Sequence, residues 1–289
     1  MNDPAALGRK ADALRALHRP GDPVVFVNVW DCAGARILEA SGAPAIATTS
    51  AGIAFSRGYP DGQRIPRELM LAEVARIVDS VAVPVTADLE SGYGASPEAL
   101  EHLAADALDA GAVGLNLEDH LGARESPLVD LTLQLEKLRA LREASARRGV
   151  PLVVNARTDA FLRGLGSPSE MFDETVRRGR AYREGGADCV FVPGVTDAPI
   201  IGRLVHEIGG AINVLAVAGS PPIVELARLG VARVSLGSGP ARAALTLLAR
   251  IAGEVARGGT YSALEGILPH AQVNELLEVR CESQIIDPK

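Results

Sequence analysis

Residues 152–193 read LVVNARTDAFLRGLGSPSEMFDETVRRGRAYREGGADCVFVP. The run Leu152–Arg157 stays apolar until its last residues, the mark of a strand covered on both faces. Ser167-Pro168 then reads as an N-cap followed by proline at the first helical position, and Glu170 completes a capping box with Ser167. Pro168–Glu184 is a helix on this reading, and Gly186 turns the chain into a second apolar run, Cys189–Pro193. Parallel neighbours need such a crossover, so the stretch predicts one β-α-β unit.

The unit recurs along the chain. Candidate strands are Val24–Val29, Ala45–Thr49, Val83–Asp88, Val113–Glu118, Leu152–Arg157, Cys189–Pro193, Asn213–Val217 and Arg233–Leu236. The intervening helices are Ala33–Ala40, Arg67–Ser80, Pro97–Ala110, Leu131–Arg148, Pro168–Glu184, Ala198–Ile208, Pro221–Leu229 and Pro240–Arg257. Ser96-Pro97 repeats the cap signal, and Gly42, Gly111 and Gly230 repeat the glycine exit. Eight such units in 289 residues predict an α/β fold, a closed (β/α)8 TIM barrel, over a doubly wound open sheet. A leading helix (Pro4–Leu17) and a helical tail (Ser262–Val279) lie outside the units. The expectation is one domain, with the barrel over about residues 22–258 and the tail over 259–289.

Composition narrows the partners. A formal net charge of −7 argues against nucleic acid and anionic membrane surfaces, which would repel the chain. Cys32, Cys189 and Cys281 are far apart, with no finger or CxxC spacing; they read as small buried hydrophobes in a reducing compartment. Met1–Pro20 has no signal-like apolar core and no run reaches membrane-spanning length, so the protein is expected to be soluble and cytoplasmic.

Barrel enzymes build their sites at the carboxyl ends of the strands. Here four consecutive strand ends turn polar: Thr48-Thr49-Ser50-Ala51-Gly52, Asp88-Leu89-Glu90-Ser91-Gly92-Tyr93-Gly94, Glu118-Asp119-His120 and Asn155-Ala156-Arg157-Thr158-Asp159. The loop after strand 2 adds Gly58-Tyr59-Pro60-Asp61. Carboxylates converging there repel one another unless a cation holds them, and hard oxygen donors without a His or Cys cluster select Mg²⁺, with Mn²⁺ as the substitute. An arginine beside the ion suits a substrate carboxylate, and main-chain N–H groups of Ser50, Ala51 and Gly52 suit a second anionic oxygen. Together these describe a small 2-oxo acid whose bond next to the carbonyl is made or broken. Singly, Asp88 and Glu90 read equally well as surface acids and Arg157–Asp159 as a structural ion pair; His120 reads as a solvated loop histidine. Gly237-Ser238-Gly239-Pro240 reads as a strand-to-helix turn rather than a phosphate cradle.

At these residues the chain resembles the isocitrate lyase and phosphoenolpyruvate mutase superfamily, from Val27 to about Leu248. The marks are Asp88–Gly94, close to the family's D-A-D-x-G-[YF]-G; Gly114–Asp119; Ala156–Ala160; and Ser50-Ala51-Gly52 with Pro60-Asp61 following. The resemblance implies that Asp88 binds Mg²⁺ directly while Asp61, Glu90 and Glu118 hold its waters. It implies that Arg157 grips the substrate and that Thr49, Ser50, Ala51 and Gly52 hold its carboxylate end, with Asp61, Glu118 and Arg157 as the catalytic candidates. It also implies a homo-oligomer, a tetramer or dimer exchanging the last barrel helix. Family lyases carry K-[KR]-C-G-H after strand 4, where Asp119–Pro127 here has no cysteine. Phosphonate-handling members use a loop asparagine there and a histidine at strand 6, where Pro193-Gly194 stands. The implied activity is a Mg²⁺-dependent carbon–carbon lyase or decarboxylase acting on a small 2-oxo or 2-hydroxy dicarboxylate through an enolate. The alternatives are carbon–phosphorus chemistry on phosphonopyruvate, and a barrel that binds a 2-oxo acid such as 2-oxoglutarate without turnover.

Overall fold

Each apolar run becomes a short strand, and every strand pairs in parallel with its neighbours. The computed structural model describes residues 3–120 and 127–278. Its strands are β1 (Val24–Phe26), β2 (Ile46–Ala47), β3 (Val85–Asp88), β4 (Gly114–Glu118), β5 (Val153–Arg157), β6 (Cys189–Val192), β7 (Ile212–Leu215) and β8 (Arg233–Ser235). They pair in chain order from β2 to β8, and β8 pairs with β1. A parallel bridge between Val29 and Thr48 spans the remaining gap; the Val29 N–H donates to the Ala47 carbonyl and the Thr49 N–H to the Val29 carbonyl, both at 2.9 Å. The sheet thus closes into the TIM barrel that the pattern predicts.

Most strands are a residue or two shorter than predicted. At β3 the cause is chemical: the Pro84 carbonyl accepts from the Ile46 N–H at 2.9 Å, but proline has no N–H to return.

The helices are α1 (Pro4–Ala16), α2 (Cys32–Ala40), α3 (Ser50–Ser56), α4 (Arg67–Ser80), α5 (Pro97–Asp109), α6 (Leu131–Arg147), α7 (Ala160–Arg163), α8 (Pro168–Glu184), α9 (Ala198–Ile208), α10 (Ile223–Arg228), α11 (Gly239–Gly258) and α12 (His270–Glu278). The Ser167–Glu170 capping box forms at α8, and Ser96 caps α5 through the Ala99 N–H. Two short helices, α3 and α7, lie where the sequence pattern predicts neither strand nor helix. The tail is not one helix: a 3-10 turn, Ser262–Leu264, precedes α12, with Pro269 between them disfavouring helical backbone at Leu268. Val279, the last residue of the predicted tail helix, lies outside the described residues.

Helix α1 covers the amino end of the barrel, burying Leu7, Ala11 and Leu14. A Cβ at Gly114 would sit 2.7 Å from Leu14 Cδ2, so only glycine at the start of β4 admits this seat. The opposite, carboxyl end is left to the loops. Cys189 is buried in β6 as expected; Cys32 is half-buried with its Sγ–H directed at the Arg76 carbonyl, and Cys281 lies outside the described residues. Among the described residues, no helix is long and apolar enough to cross a membrane.

Helix α11 forms where the sequence places the last barrel helix but does not cover the barrel. Ala241 is its one buried residue, while Leu245 and Leu248 are 51% and 62% exposed. On the outside of β1, Val25 and the following Val27 are correspondingly open, and a groove of about 530 Å³ runs past them to Val217, Ile223 and Leu236.

Candidate active site

Register sets the first layer of the site. Asp88 ends β3, and the ladders place Asn116 of β4 and Asn155 of β5 level with it. The amide of Asn155 donates to Asn116 Oδ1 at 2.8 Å, and Asn116 Nδ2 donates to Asp88 Oδ1 at 3.0 Å. The other Asp88 oxygen accepts from the Ser50 N–H at 3.0 Å and the Ser50 hydroxyl at 2.8 Å. Three donors on one carboxylate fix its orientation.

Ser50 opens α3. Thr49 is the N-cap, its hydroxyl accepting from the Gly52 N–H at 3.3 Å. A Cβ at Gly52 would lie 2.6 Å from Thr49 Cγ2 and 2.9 Å from Trp30 Cβ, so glycine is required by close packing, not by an anion. The Ser50 and Gly52 N–H groups are committed to Asp88 and Thr49.

One register step further out, Glu118 faces Arg157. Arg157 Nη1 donates to Glu118 Oε1 at 2.5 Å, while Nε and Nη2 take both oxygens of Asp159 at 2.6 and 3.0 Å. Asp159 is placed in turn by Asp119 Oδ1, which accepts its N–H at 3.0 Å; Asp119 Oδ2 accepts from Tyr182 at 2.8 Å and Arg178 at 3.3 Å. The bidentate face of Arg157 is therefore spent inside the protein. Two of its five N–H donors remain for a ligand.

A cavity of about 250 Å³ opens above these groups, lined by Ser50, Asp61, Gln63, Glu90, Glu118, His120, Arg157, Asp159, Leu162 and Arg163. Asp61, Glu90 and Glu118 are all shifted upward. Burial, then the Asp88 and Asp61 charges, push Glu90 up to about 8. Burial and then Asp88 raise Asp61, and burial raises Glu118 against the pull of Arg157. Glu90 Oε1 is buried with no hydrogen-bond partner. The Tyr93 phenol is also buried without a partner and shifted upward, by burial first and then by Glu90, Asp88, Asp61 and Glu118.

The sequence profile of the phosphoenolpyruvate phosphomutase family matches residues 14–256. The chain belongs to this family, within the phosphoenolpyruvate mutase/isocitrate lyase superfamily. It is 35% identical over 262 residues to an uncharacterized protein of Mycobacterium tuberculosis, covering 90% of this chain and 94% of that one. A lyase/mutase-like protein of Burkholderia cenocepacia J2315, known from its crystal structure, is 38% identical with TM-score 0.88, covering 96% of this chain and 98% of that one. A phosphonopyruvate hydrolase solved with oxalate and Mg²⁺ is 25% identical with TM-score 0.79, covering 92% and 94%. The superfamily comprises Mg²⁺-dependent carbon–carbon lyases and carbon–phosphorus enzymes.

Within this family member, Asp61, Glu90, Glu118, Ser50 and Arg157 line one cavity. Asp88 does not line it, being covered by Ser50; Thr49, Ala51 and Gly52 stand behind the wall at the start of α3. Glu90 is 4% exposed, not a surface acid, and His120 is buried at the cavity edge rather than solvated. The loop stretch without a cysteine, residues 121–126, lies outside the described residues. Among the described residues no three His, Cys, Asp or Glu side chains form a ready-made metal cage. The donor set still fits a hard divalent ion that keeps much of its water: crowded carboxyls raise one another, and one buried carboxyl oxygen lacks a donor. The sequence assigns no role to Asn116, Asn155, Gln63 or Arg163, which the structure places in or beneath the site. The asparagines carried a signal, each a lone amide inside an otherwise apolar strand.

Proposed function

We propose that the protein is a Mg²⁺-dependent carbon–carbon lyase or decarboxylase acting on a small 2-oxo or 2-hydroxy dicarboxylic acid through an enolate. The observation that carries this reading is the single small cavity in which Asp61, Glu90 and Glu118 surround the open end of Arg157. Asp88 would hold the ion with its Ser50 and Asn116 contacts rearranged, and Asp61, Glu90 and Glu118 would hold its waters. Mn²⁺ would substitute. The bound ion would supply electrophilic pull on the substrate's carbonyl and carboxylate oxygens.

The chain's own groups do the rest. Arg157, charged at any working pH, meets a substrate carboxylate with its two remaining N–H donors. Glu118 and Asp159 hold that guanidinium still, so little is lost in ordering it when substrate arrives. Ser50, released from Asp88 by that rearrangement, would steady the carboxylate end of the ligand, and Asp61 stands exposed at the rim. A cavity of about 250 Å³ admits a substrate of a few carbons and excludes large ones. Strand β6 is followed by Pro193-Gly194, without a cation or histidine for a phosphonate, which favours carbon–carbon over carbon–phosphorus chemistry.

The test is incubation of the purified protein with oxaloacetate, 2-methylisocitrate and phosphonopyruvate, each with Mg²⁺ or EDTA. Metal-dependent cleavage of either carbon acid supports the reading. Phosphate release from phosphonopyruvate alone selects the carbon–phosphorus alternative, and tight binding of 2-oxoglutarate without product selects a binding barrel. We further propose a helix-exchanged homo-oligomer, supported by the exposed apolar residues of α11 and the open groove beside β1.

A further inference from the structure

Backbone strain gathers at one place in this molecule. Among the described residues, the non-glycine positions with left-handed backbone are Gln63, Glu90 and Tyr93, at φ 57°, 54° and 55°. They lie on two different loops, after β2 and after β3, yet they touch. The Gln63 side-chain carbonyl accepts the Tyr93 N–H at 2.8 Å, and its NH₂ donates to the Ser91 hydroxyl. The Gln63 main-chain N–H faces the Glu90 carboxyl. A strained conformation persists only where its surroundings over-determine it. Here the far side of the β3 loop is pinned as well: Lys137, fully buried on α6, donates from Nζ to the Ser91 carbonyl at 3.0 Å. Gly94 packs so closely that a Cβ would sit 2.3 Å from Ala99 Cβ.

We propose that Gln63 is a positioning residue that latches the Asp61 loop to the Glu90 loop and so sets the spacing of the two acids across the cavity. The chemistry suits glutamine. A primary amide donates and accepts at once, and it adds no charge among carboxyls that already repel. Asparagine is one methylene short of the same reach. Asp61 stands two residues before the latch and Glu90 one residue before Ser91, so each acid is carried on a strand of backbone that the amide holds. The inference rests on the proposed function only in the use made of the two acids; the latch itself is a statement about geometry.

The test compares wild type with Gln63→Met, which keeps size and loses both bonds, and with Ser91→Ala, which removes the hydroxyl partner alone. Hydrogen–deuterium exchange of peptides spanning 88–94 is read by mass spectrometry, and Mn²⁺ binding by calorimetry. Gln63→Met is expected to speed exchange at Tyr93 roughly tenfold while peptides in α5 and α6 keep their protection. Mn²⁺ affinity is expected to fall about 10–100-fold, as for loss of an outer partner of a metal site. Ser91→Ala should show the same exchange change in smaller measure, and it serves as the deciding variant if Gln63→Met does not fold. Unchanged exchange over 88–94, or faster exchange spread evenly over the barrel, would overturn the latch. Wild type that binds no Mn²⁺ would count against the proposed function, while the exchange measurement still decides the latch.

Discussion

Two flanks of one barrel are built on opposite principles. Across β3, β4 and β5, polar side chains at the rim meet one another: Asp88 meets Ser50 and Asn116, Asn116 meets Asn155, and Arg157 meets Glu118 and Asp159. Across β8 and β1, apolar side chains face a groove and the helix that follows β8 leaves its leucines in the open. The first flank is complete in one chain apart from a counter-charge for its acids. The second is complete only if something apolar covers it. Function in an α/β barrel lives where polar groups are satisfied by neighbours with fixed register, and assembly lives where they are absent.

The sharpest way to break the polar flank is Arg157→Met. It strands Glu118 and Asp159 as buried carboxylates without their cation, and a loss of about 3–5 kcal/mol in urea unfolding is expected, together with loss of turnover. Next is Asp88→Asn, which replaces one of two acceptor oxygens by an NH₂ group, set either against the Asn116 amide or against the Ser50 N–H. Divalent-ion affinity by calorimetry should fall at least about 10–100-fold with the fold retained by circular dichroism. The apolar flank is probed by Leu245→Glu with Leu248→Glu on α11. Light scattering should show a smaller assembly than wild type, because two charges cannot be buried in an apolar groove; an unchanged mass would remove helix exchange from consideration.

The polar flank also predicts a slope with pH. The folded Glu90 carboxyl is held up at about 8 by burial and by Asp88 and Asp61, against an ordinary value of 4.5. The folded state therefore retains a proton that the unfolded chain has released, and stability of the metal-free protein falls as pH rises from about 4.5 to about 8, then levels. Glu90→Gln should flatten that fall in a series of thermal melts, and saturating Mg²⁺ should reduce it.

Much of this was legible in the primary structure. Caps and prolines marked α5 and α8, and apolar runs ending in acids marked β3 and β4, because those signals act within a few residues. Helix α3 escaped notice since Ser50-Ala51-Gly52 carries no helical periodicity; it is held by Thr49 and by the neighbouring Asp88. Gln63 escaped for a like reason, its partners Ser91 and Tyr93 lying on another loop.

Chain order alone therefore determined the eight strands, their parallel sense and the acids assembled at one end of the barrel, since burial on two faces and crossover length are local properties. Only the tertiary structure decided that Arg157 spends its fork on Asp159, that Ser50 covers Asp88, and that α11 stands away from β1. Those outcomes depend on which groups a closed sheet brings within hydrogen-bond distance, and on apolar faces whose cover does not come from the strands beside them.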